Sequence, residues 1–355
     1  MPRQFCWRPR LVLHCGLAVL LLQLCACGSS SSPDDAVAVI AAATCDGTPH
    51  ASVMPSVPDY PTQPVGRKYS AYGPCTVTAK PAFACCDSSG NSFDIWYPAN
   101  PAAGARFPVV SWGDGTAAAP GQYAYLLDHL ASWGFIVIAS ESQATHTGRE
   151  IIDAAKYVVG EDSDPASPLH QRVQAGEVGA MGHSQGAGGV TLALMQSGGF
   201  IKTAVPIEKP AQDLCNPASD CPGLAELSGG SIFFVNGSKD GISPSQQAGS
   251  CEAGEQSNFC FYQDTPGALD KAWGTIIGPD HNDVQGQPDC GSIQDGLGSV
   301  GAELTCTYGV YGYLGYPTAW LVAQLQHDAA ARAAFLPGGD FSRESNWSNQ
   351  ASDLR

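Results

Sequence analysis

Two kinds of apolar pattern alternate along the chain from about residue 93 to residue 335. Short continuous apolar runs predict buried strands, and runs in which apolar residues recur every three or four positions predict amphipathic helices. The predicted strands are 93–98, 107–112, 134–139, 177–181, 201–207, 231–235 and 272–277. The predicted helices are 122–133, 149–159, 190–195 and 317–335. This alternation favours the α/β class, in which a mainly parallel sheet carries helices on both faces.

A glycine-rich turn joins the fourth predicted strand to the helix that follows it. Its sequence, Gly182-His-Ser-Gln-Gly186, matches G-x-S-x-G, the nucleophile elbow of serine hydrolases, and the motif requires this strand–turn–helix context. The serine of such a turn has a strained backbone, and glycines two residues away on each side avoid clashes across the turn. The alternative is a glycine-rich loop around an ordinary serine. We therefore predict an α/β-hydrolase fold with Ser184 as the nucleophile.

A serine nucleophile needs a histidine base, and the chain order in this fold is serine, then an acid, then histidine. Of the eight histidines, only His281 and His327 follow Ser184. His327 falls within the predicted closing helix 317–335, where a surface histidine is expected. His281 follows the strand 272–277, which is the last strand predicted, and a base must project from such a loop over the edge of the sheet. We expect His281 to be the base.

The acid that orients this histidine should follow a strand that lies between the nucleophile and the base. Asp240 meets this condition, because the strand 231–235 runs into its loop. Four other aspartates lack a strand just before them, namely Asp213, Asp220, Asp264 and Asp270. Asp240 precedes a glycine, and Asp-Gly is also a common turn pair, so a turn residue is the alternative. We expect Asp240 to complete a Ser-His-Asp triad.

An oxyanion hole in this fold uses two backbone N–H groups. One belongs to the residue after the nucleophile, Gln185, and the other comes from the loop at 112–116. By resemblance to related enzymes, in which the residue after the first glycine of this loop donates, the second N–H would be that of Asp114, with its side chain facing away. His183, inside the elbow, is expected to be structural.

The first 26 residues resemble an export signal and not a part of the fold. Three arginines precede an apolar segment at 11–24, which is too short to span a bilayer as a stable helix. The segment ends in Leu24-Cys-Ala-Cys27, a sequence similar to a bacterial lipobox, in which Cys27 would receive the lipid. The alternative is a plain secretory signal that is cleaved nearby. We expect a signal peptide with a lipobox at 1–26, a lipidation site and flexible tether at 27–44, a catalytic domain at 45–340 and a C-terminal tail at 341–355.

The net charge and the cysteine content limit the kinds of partner and cross-link that we expect. A formal net charge of −16 makes nucleic acid an unexpected partner. Of 14 cysteines, ten lie beyond the lipobox, and an even number in an exported chain indicates disulfides. The simplest local pairs are Cys215–Cys221, Cys251–Cys260 and Cys290–Cys306, and the adjacent Cys85 and Cys86 should bind two different partners. The rival is a metal site, but no C-x-x-C spacing is present, so we expect neither metal nor cofactor.

Several motifs together resemble the bacterial cutinase-like polyesterases and the related extracellular chlorophyllase/dienelactone-hydrolase-like esterases. They are the elbow at 182–189, the loop Ser111-Trp-Gly-Asp-Gly-Thr116, the segment 129–138, and the closing stretch at 318–321 with 328–335. The resemblance covers about residues 60 to 336 and implies the same nucleophile, acid and base. Two features differ from the polyesterase pattern. The stretch 204–211 has no aromatic residue where these enzymes carry a tryptophan clamp, and residues 282–316 form a long insertion beside the histidine loop.

Together these features predict an exported, metal-independent serine esterase that acts through an acyl-enzyme. Its partners would be an ester substrate and a membrane, the latter through the lipid on Cys27. It would be lipase-like, cutinase-like or polyesterase-like. One alternative is an acyltransferase on the same fold, and another is a non-catalytic surface lipoprotein that keeps the fold for binding.

Overall fold

The computed structural model describes residues 45, 61–215, 221, 223–246, 251, 254–285 and 309–355. Contacts divide the chain into two units, Met1–Val39 and Ile40–Arg355, and all described residues belong to the second. The predicted signal, Cys27 and the predicted tether lie outside the described residues. Within the described ranges, no helix has both the length and the apolar content needed to cross a membrane.

The described residues form one nine-stranded sheet with the order β1-β2-β4-β3-β5-β6-β7-β8-β9. The strands are β1 Val77–Cys85, β2 Ser92–Pro98, β3 Phe107–Gly113, β4 Ile136–Ser140, β5 Val173–His183, β6 Thr203–Ile207, β7 Ser231–Gly237, β8 Lys271–Ile276 and β9 Trp347–Asp353. The six central strands, from β4 to β8 in the sheet, pair in parallel. The flanking pairs β1–β2, β2–β4 and β8–β9 are antiparallel. The prediction of a mainly parallel sheet is confirmed.

Helices cover both faces of this sheet. They are α1 Pro64–Ser70, α2 Ala124–Ser132, α3 Arg149–Glu161, α4 Gln185–Gln196, α5 Asn258–Asp264, α6 Gly315–Leu325, α7 Ala329–Ala333 and α8 Asp340–Arg343. Successive strand residues point to opposite faces, and so Val110 packs in the cluster that contains residues of α2 and α6, while Val109 packs in the cluster that contains residues of α3 and α4. Two apolar cores sandwich the sheet, as the α/β-hydrolase fold requires.

The closing helix predicted at 317–335 is two helices. α6 ends at Leu325, and His327 has a φ of 55°, in the left-handed region that an α-helix cannot continue through. The Asp328 side chain then accepts a hydrogen bond of 2.7 Å from the Ala331 N–H and caps α7. The prediction of a single closing helix is therefore wrong for a local reason. The backbone breaks at His327, and Asp328 caps a new helix directly after the break.

Residues 341–355, expected to be a C-terminal tail, instead belong to the fold. Phe341 and Trp347 are buried and pack against Phe233 at ring-centroid distances of 5.4 Å and 6.0 Å. β9 then pairs with β8, so the strand predicted to be last is followed by another. Its sequence after Trp347 is polar, which is why its pattern indicates no strand. The two aromatic anchors hold it on the edge of the sheet.

Four disulfides join the described cysteines. The predicted pairs Cys215–Cys221 and Cys251–Cys260 are present, together with Cys45–Cys75 and Cys85–Cys86. The expectation that Cys85 and Cys86 would bind different partners is wrong, because the two are bonded to each other. Cys290 and Cys306 lie outside the described residues.

Candidate active site

The elbow serine stands between β5 and α4 at the C-terminal edge of the sheet. Ser184 has a φ of 54° and a ψ of −121°, a conformation that L-residues rarely adopt. A Cβ on Gly182 would lie 2.6 Å from the carbonyl oxygen of Gly186, and a Cβ on Gly186 would collide with the backbone of Gly113. The two motif glycines thus allow the turn to close and allow β3 to approach it.

Ser184 and His281 lie within hydrogen-bond distance of each other. Ser184 Oγ is 2.8 Å from His281 Nε2, and the other ring nitrogen, Nδ1, is 2.8 Å from Asp240 Oδ2. The side chains of His281 and Asp240 are 1% and 0% exposed. The structure therefore brings together the three residues that the sequence singled out. This is the arrangement in which an acid fixes a histidine and the histidine accepts a serine proton.

Two loops hold the acid and the base in this position, and they are bonded to each other. The Lys239 N–H donates to the carbonyl oxygen of Pro279 at 2.9 Å, and the Gly278 N–H donates to Ser238 Oγ at 2.9 Å. Gly237 has no room for a side chain, because a Cβ there would meet Pro279. The Asp240 loop and the His281 loop therefore position each other.

The Asp240 carboxylate is stabilised from several sides. Its Oδ1 accepts hydrogen bonds from the N–H groups of Ile242 at 2.7 Å and Ser243 at 3.0 Å. Burial acts to raise the pKa of Asp240, but the charge of His281 and the hydrogen bonds from His281 and the Ser243 N–H lower it below its usual value. The carboxyl group is ionised at neutral pH, as an acid that stabilises an imidazolium must be.

The residues predicted for the oxyanion hole flank the elbow. Gln185 is the first residue of α4, so its N–H has no acceptor within the helix. Asp114 follows β3, whose last residue, Gly113, pairs in register with Gly182 of β5. A Cβ on Gly186 would lie 2.6 Å from the carbonyl oxygen of Asp114, so this backbone borders the turn. Both candidate segments thus meet beside Ser184.

The Asp114 side chain is fully buried and bonded to a neighbour. Its Oδ1 accepts a hydrogen bond of 2.8 Å from Trp112 Nε1. Burial raises the pKa of Asp114 well above its usual value, the bond to Trp112 opposes the rise, and the charge of Asp94 adds to it. This shift favours the neutral form of the carboxyl group, which would place no negative charge beside the elbow.

His183 joins the elbow to the base loop. Its Nε2 is 2.7 Å from the backbone carbonyl oxygen of His281, and its Nδ1 is 2.9 Å from the hydroxyl of Tyr123. Burial, aided by the charge of His281, lowers the pKa of His183 to about 3. The ring is neutral, with Nε2–H donating to His281 and Nδ1 accepting from Tyr123. The same hydroxyl accepts hydrogen bonds from the Gly115 N–H and Gln285 Nε2.

Glu208 is a site residue that the sequence reasoning missed. It follows β6 directly and is fully buried, and an oxygen of its carboxyl group lies within 4.8 Å of both an Asp240 carboxyl oxygen and a ring nitrogen of His281. The sequence signal that could have found it is its position, since it is an acidic residue immediately after an apolar strand that neighbours the elbow strand.

His327, the other histidine considered as a base, lies away from the triad. Its Nε2 is 3.1 Å from Glu177 Oε1, and 53% of its side chain is exposed.

One group of potential metal ligands occurs among the described residues. Glu208, Asp240 and His281 offer ligand atoms that lie within 4.8 Å of one another. Two of the three already form the acid–base pair through His281 Nδ1. A cation bound by all three would have to displace that hydrogen bond, and Glu208 Oε1 already accepts from the Gly237 N–H and the Tyr313 hydroxyl, so the set fits hydrogen bonding better than a metal site.

The chain is similar to several curated esterases. It is 31% identical to a bis(hydroxyethyl) terephthalate hydrolase of Streptomyces coelicolor over 135 residues, covering 37% of this chain and 41% of the relative. It is 27% identical to cutinase est1 of Thermobifida alba over 178 residues, covering 46% and 58%. It is 28% identical to cutinase cut1 of Thermobifida fusca over 118 residues, covering 32% and 35%. The matched part therefore spans less than two thirds of these relatives.

A family model described as PET hydrolase-like matches residues 60–243. This range is just over half of the chain and includes β1 to β7, the elbow and Asp240. The match agrees with the fold, since the sheet order and the elbow are those of an α/β-hydrolase. The chain belongs to the PET hydrolase-like family.

Proposed function

We propose that this protein is a serine carboxylic-ester hydrolase with Ser184 as nucleophile, His281 as base and Asp240 as orienting acid. The observation that carries the proposal is the continuous hydrogen-bonded line from Ser184 Oγ through the His281 ring to the buried Asp240, with both distances at 2.8 Å. A non-catalytic surface protein with the same fold would not require these hydrogen bonds between serine, histidine and aspartate. The ester-cleaving relatives support the same reaction class.

The reaction follows from the proton positions. His281 Nδ1–H donates to Asp240, which leaves Nε2 free to accept the Ser184 proton while Oγ attacks the ester carbonyl carbon. The backbone N–H groups of Gln185 and Asp114 would stabilise the oxyanion that develops. The imidazolium returns its proton to the alkoxide leaving group, and an acyl-enzyme remains. Water, deprotonated by the same ring, then releases the acid.

The substrate class we propose is small or surface-adjacent esters, in preference to solid polyester. The relatives include an enzyme named for bis(hydroxyethyl) terephthalate, a small diester. In this chain the stretch 204–211 offers no aromatic ring, and Lys209 is buried with Nζ 3.7 Å from the ring centre of Phe261. Rates on p-nitrophenyl esters of increasing chain length, on bis(hydroxyethyl) terephthalate and on a polyester film test this preference. Faster release from the film at matched ester content would overturn it.

A phosphonate probe tests the reaction itself. Ser184→Ala should abolish labelling by a fluorophosphonate and lower kcat on an aryl ester by three orders of magnitude or more, on the order expected for a triad member. Circular dichroism should show an unchanged fold. Ser142→Ala is a matched control, since this buried serine lies outside the triad. Wild-type protein that neither labels nor hydrolyses any ester would refute the proposal, and acyl transfer to added alcohol in place of hydrolysis would identify an acyltransferase.

We further propose that the protein is exported and held to a membrane by lipid on Cys27. The support is the sequence Leu24-Cys-Ala-Cys27 with the serine-rich stretch behind it. A single acyl chain binds membranes only marginally, whereas the several chains of a bacterial lipoprotein anchor stably. Metabolic labelling with a radioactive fatty acid should mark wild type and not Cys27→Ala. Unlabelled protein free in the medium would show plain secretion instead.

A further inference from the structure

Glu208 has an unusual backbone and an unusual environment. Its φ of 52° lies in the left-handed region, which glutamate rarely adopts, and its N–H is held by the carbonyl oxygen of Val235 at 2.8 Å. The side chain is 0% exposed. Non-glycine residues keep such a conformation only where the surroundings fix it, and such residues cluster at functional sites. The backbone conformation of Glu208 therefore indicates a functional role and not only a place in the core.

The contacts of Glu208 leave one oxygen to carry a proton. Its Oε1 accepts hydrogen bonds from the Gly237 N–H at 2.8 Å and from the Tyr313 hydroxyl. Its Oε2 is buried and receives no hydrogen bond from any donor in the described part of the chain. An oxygen of the Glu208 carboxyl lies within 4.8 Å of an oxygen of the Asp240 carboxyl. Two buried carboxylates this close repel each other when both are ionised, which favours a proton on one of the two groups.

The surroundings decide which group holds the proton. Asp240 faces His281 and two backbone N–H groups, so its charge is stabilised. Glu208 faces Tyr313, which is equally buried, and the negative Asp240. Burial, with the charge of Asp240, raises the pKa of Glu208 well above its usual value. The nearest basic side chain in sequence, Lys209, turns to the ring of Phe261.

We propose that Glu208 is a positioning residue that stays protonated at neutral pH and donates its carboxyl hydrogen to Asp240. This rests on the proposed function, because it extends the line from Ser184 through His281 and Asp240 to a fourth and a fifth side chain, Glu208 and Tyr313. The donated hydrogen holds the Asp240 carboxylate in the rotation that faces His281 Nδ1. Two acids after the neighbouring strands β6 and β7 thus have opposite protonation states and different roles.

Replacement by glutamine and by methionine separates this role from a structural one. In Glu208→Gln the amide keeps a donor for Asp240 and an acceptor for Gly237 and Tyr313, so kcat should stay within about threefold of wild type and the acid limb of the pH profile should not move. Glu208→Met has a similar volume and no donor. Its kcat should fall about tenfold to a hundredfold, as for loss of a hydrogen bond to a charged group, while KM for a small aryl ester stays unchanged.

An ionised Glu208 gives the opposite pattern. Removing its negative charge in Glu208→Gln would move the acid limb to lower pH by about a unit or more and change kcat strongly. Either result overturns the proposal. Glu344→Gln is the matched control, since Glu344 is a buried glutamate that accepts hydrogen bonds from Thr62, Gln63 and Tyr316, away from the site. Its kinetics should match those of wild type.

An infrared measurement tests Glu208 without any turnover. Protein labelled with ¹³C at the glutamate side-chain carboxyl should show the carbonyl stretch of a buried, protonated acid at pH 7. The wild-type minus Glu208→Gln difference spectrum should contain this band, and the wild-type minus Glu344→Gln spectrum should not. Taking differences removes the contribution of buried Glu255, whose pKa burial raises to about 7. If the wild type cleaves no ester, the proposed function fails, while this band still decides the state of Glu208. If the protein is active but the band is absent, Glu208 is ionised and the present proposal is wrong. The glutamine variant and this spectrum also decide the question if the methionine variant fails to fold.

Discussion

The Nε2 of His183 lies 2.7 Å from the backbone carbonyl oxygen of His281, so the residue before the nucleophile holds the residue proposed as its base. The two rings are 4.9 Å apart at their centres, and both are buried. Neutral His183 carries its hydrogen on Nε2, because Tyr123 donates to Nδ1. The elbow and the base loop are therefore joined by a hydrogen bond as well as by the Ser184–His281 contact.

We predict that His183→Ala lowers kcat about tenfold to a hundredfold without unfolding the protein. Loss of the bond frees the His281 loop, and misplacement of a reacting group by about 1 Å costs on the order of a hundredfold. The rate of fluorophosphonate labelling measures the effect directly on Ser184. Tyr123→Phe is the partner variant that keeps both rings and removes the hydroxyl, with its hydrogen bond to Nδ1 and those that it accepts from the Gly115 N–H and Gln285. A His183→Ala enzyme with wild-type kcat would show that the bond plays no part in positioning His281.

The two histidines that follow the nucleophile give a second prediction. His281→Ala should remove turnover of an aryl ester, with a loss of several orders of magnitude, because triad residues act as a unit. His327→Ala should leave kcat and KM nearly unchanged, since its ring is largely exposed and contacts Glu177, not a residue of the triad. Steady-state kinetics on both purified variants shows which of the two histidines acts as the base. Strong loss in His327→Ala would mean that the base is misassigned.

The sequence alone predicted the central sheet and the residues that meet at its edge, because each signal is local. Apolar runs mark buried strands, and the small residues Gly182 and Gly186 mark a turn with no space for side chains. Chain order then limits the histidines to two. Edge elements lacked such signals. β1 is largely exposed, and β9 is polar after Trp347, so neither has a continuous apolar run.

Glu208 and Tyr313 escaped prediction because their role depends on contacts between distant segments. They are separated by 105 positions, and the hydroxyl of Tyr313 reaches Glu208 only once the chain has folded. The break at His327 was missed for a different reason. Apolar periodicity continues through it, and only the backbone conformation reveals that α6 stops. Apolar periodicity therefore predicts the sheet and helix layers of this fold but not the side-chain contacts between them.

Asp114 gives a third prediction, which follows from the raised pKa of its side chain. Asp114→Asn has nearly the same shape and charge as the protonated acid, and the proposed oxyanion donor is the backbone N–H. We expect kcat to stay within about threefold of wild type, which corresponds to less than 1 kcal/mol. Asp114→Ala, which also removes the acceptor for Trp112 Nε1, should lower thermal stability. If the asparagine variant is faster or slower by a hundredfold, the carboxyl group is charged in the active enzyme and the oxyanion assignment has to change.

His129 gives the last prediction, which concerns stability in acid. This side chain is fully buried, with Nε2 3.0 Å from the carbonyl oxygen of Ala71. Burial lowers its pKa to about 4, from 6.5 for an exposed histidine. Between these values the unfolded chain binds a proton that the folded protein does not. The free energy of unfolding should therefore fall as the pH drops from about 6.5 to 4, by about 3 kcal/mol in total for this residue at about 1.4 kcal/mol per pH unit.

Urea unfolding at a series of pH values measures this slope, since the extrapolated free energy of unfolding is obtained at each pH. His129→Gln keeps a donor near Ala71 but cannot titrate, so its stability should fall less steeply between pH 6.5 and 4, whatever its stability at pH 7. Trp133→Phe is the matched control. It removes the other side-chain donor to the same carbonyl, at 2.9 Å, without changing any titrating group, and its slope should equal that of wild type. His183, whose pKa is also lowered, continues to contribute in all three proteins, so the difference between the slopes isolates His129. Equal slopes in wild type and His129→Gln would mean that protonation of the buried ring does not lower the free energy of unfolding.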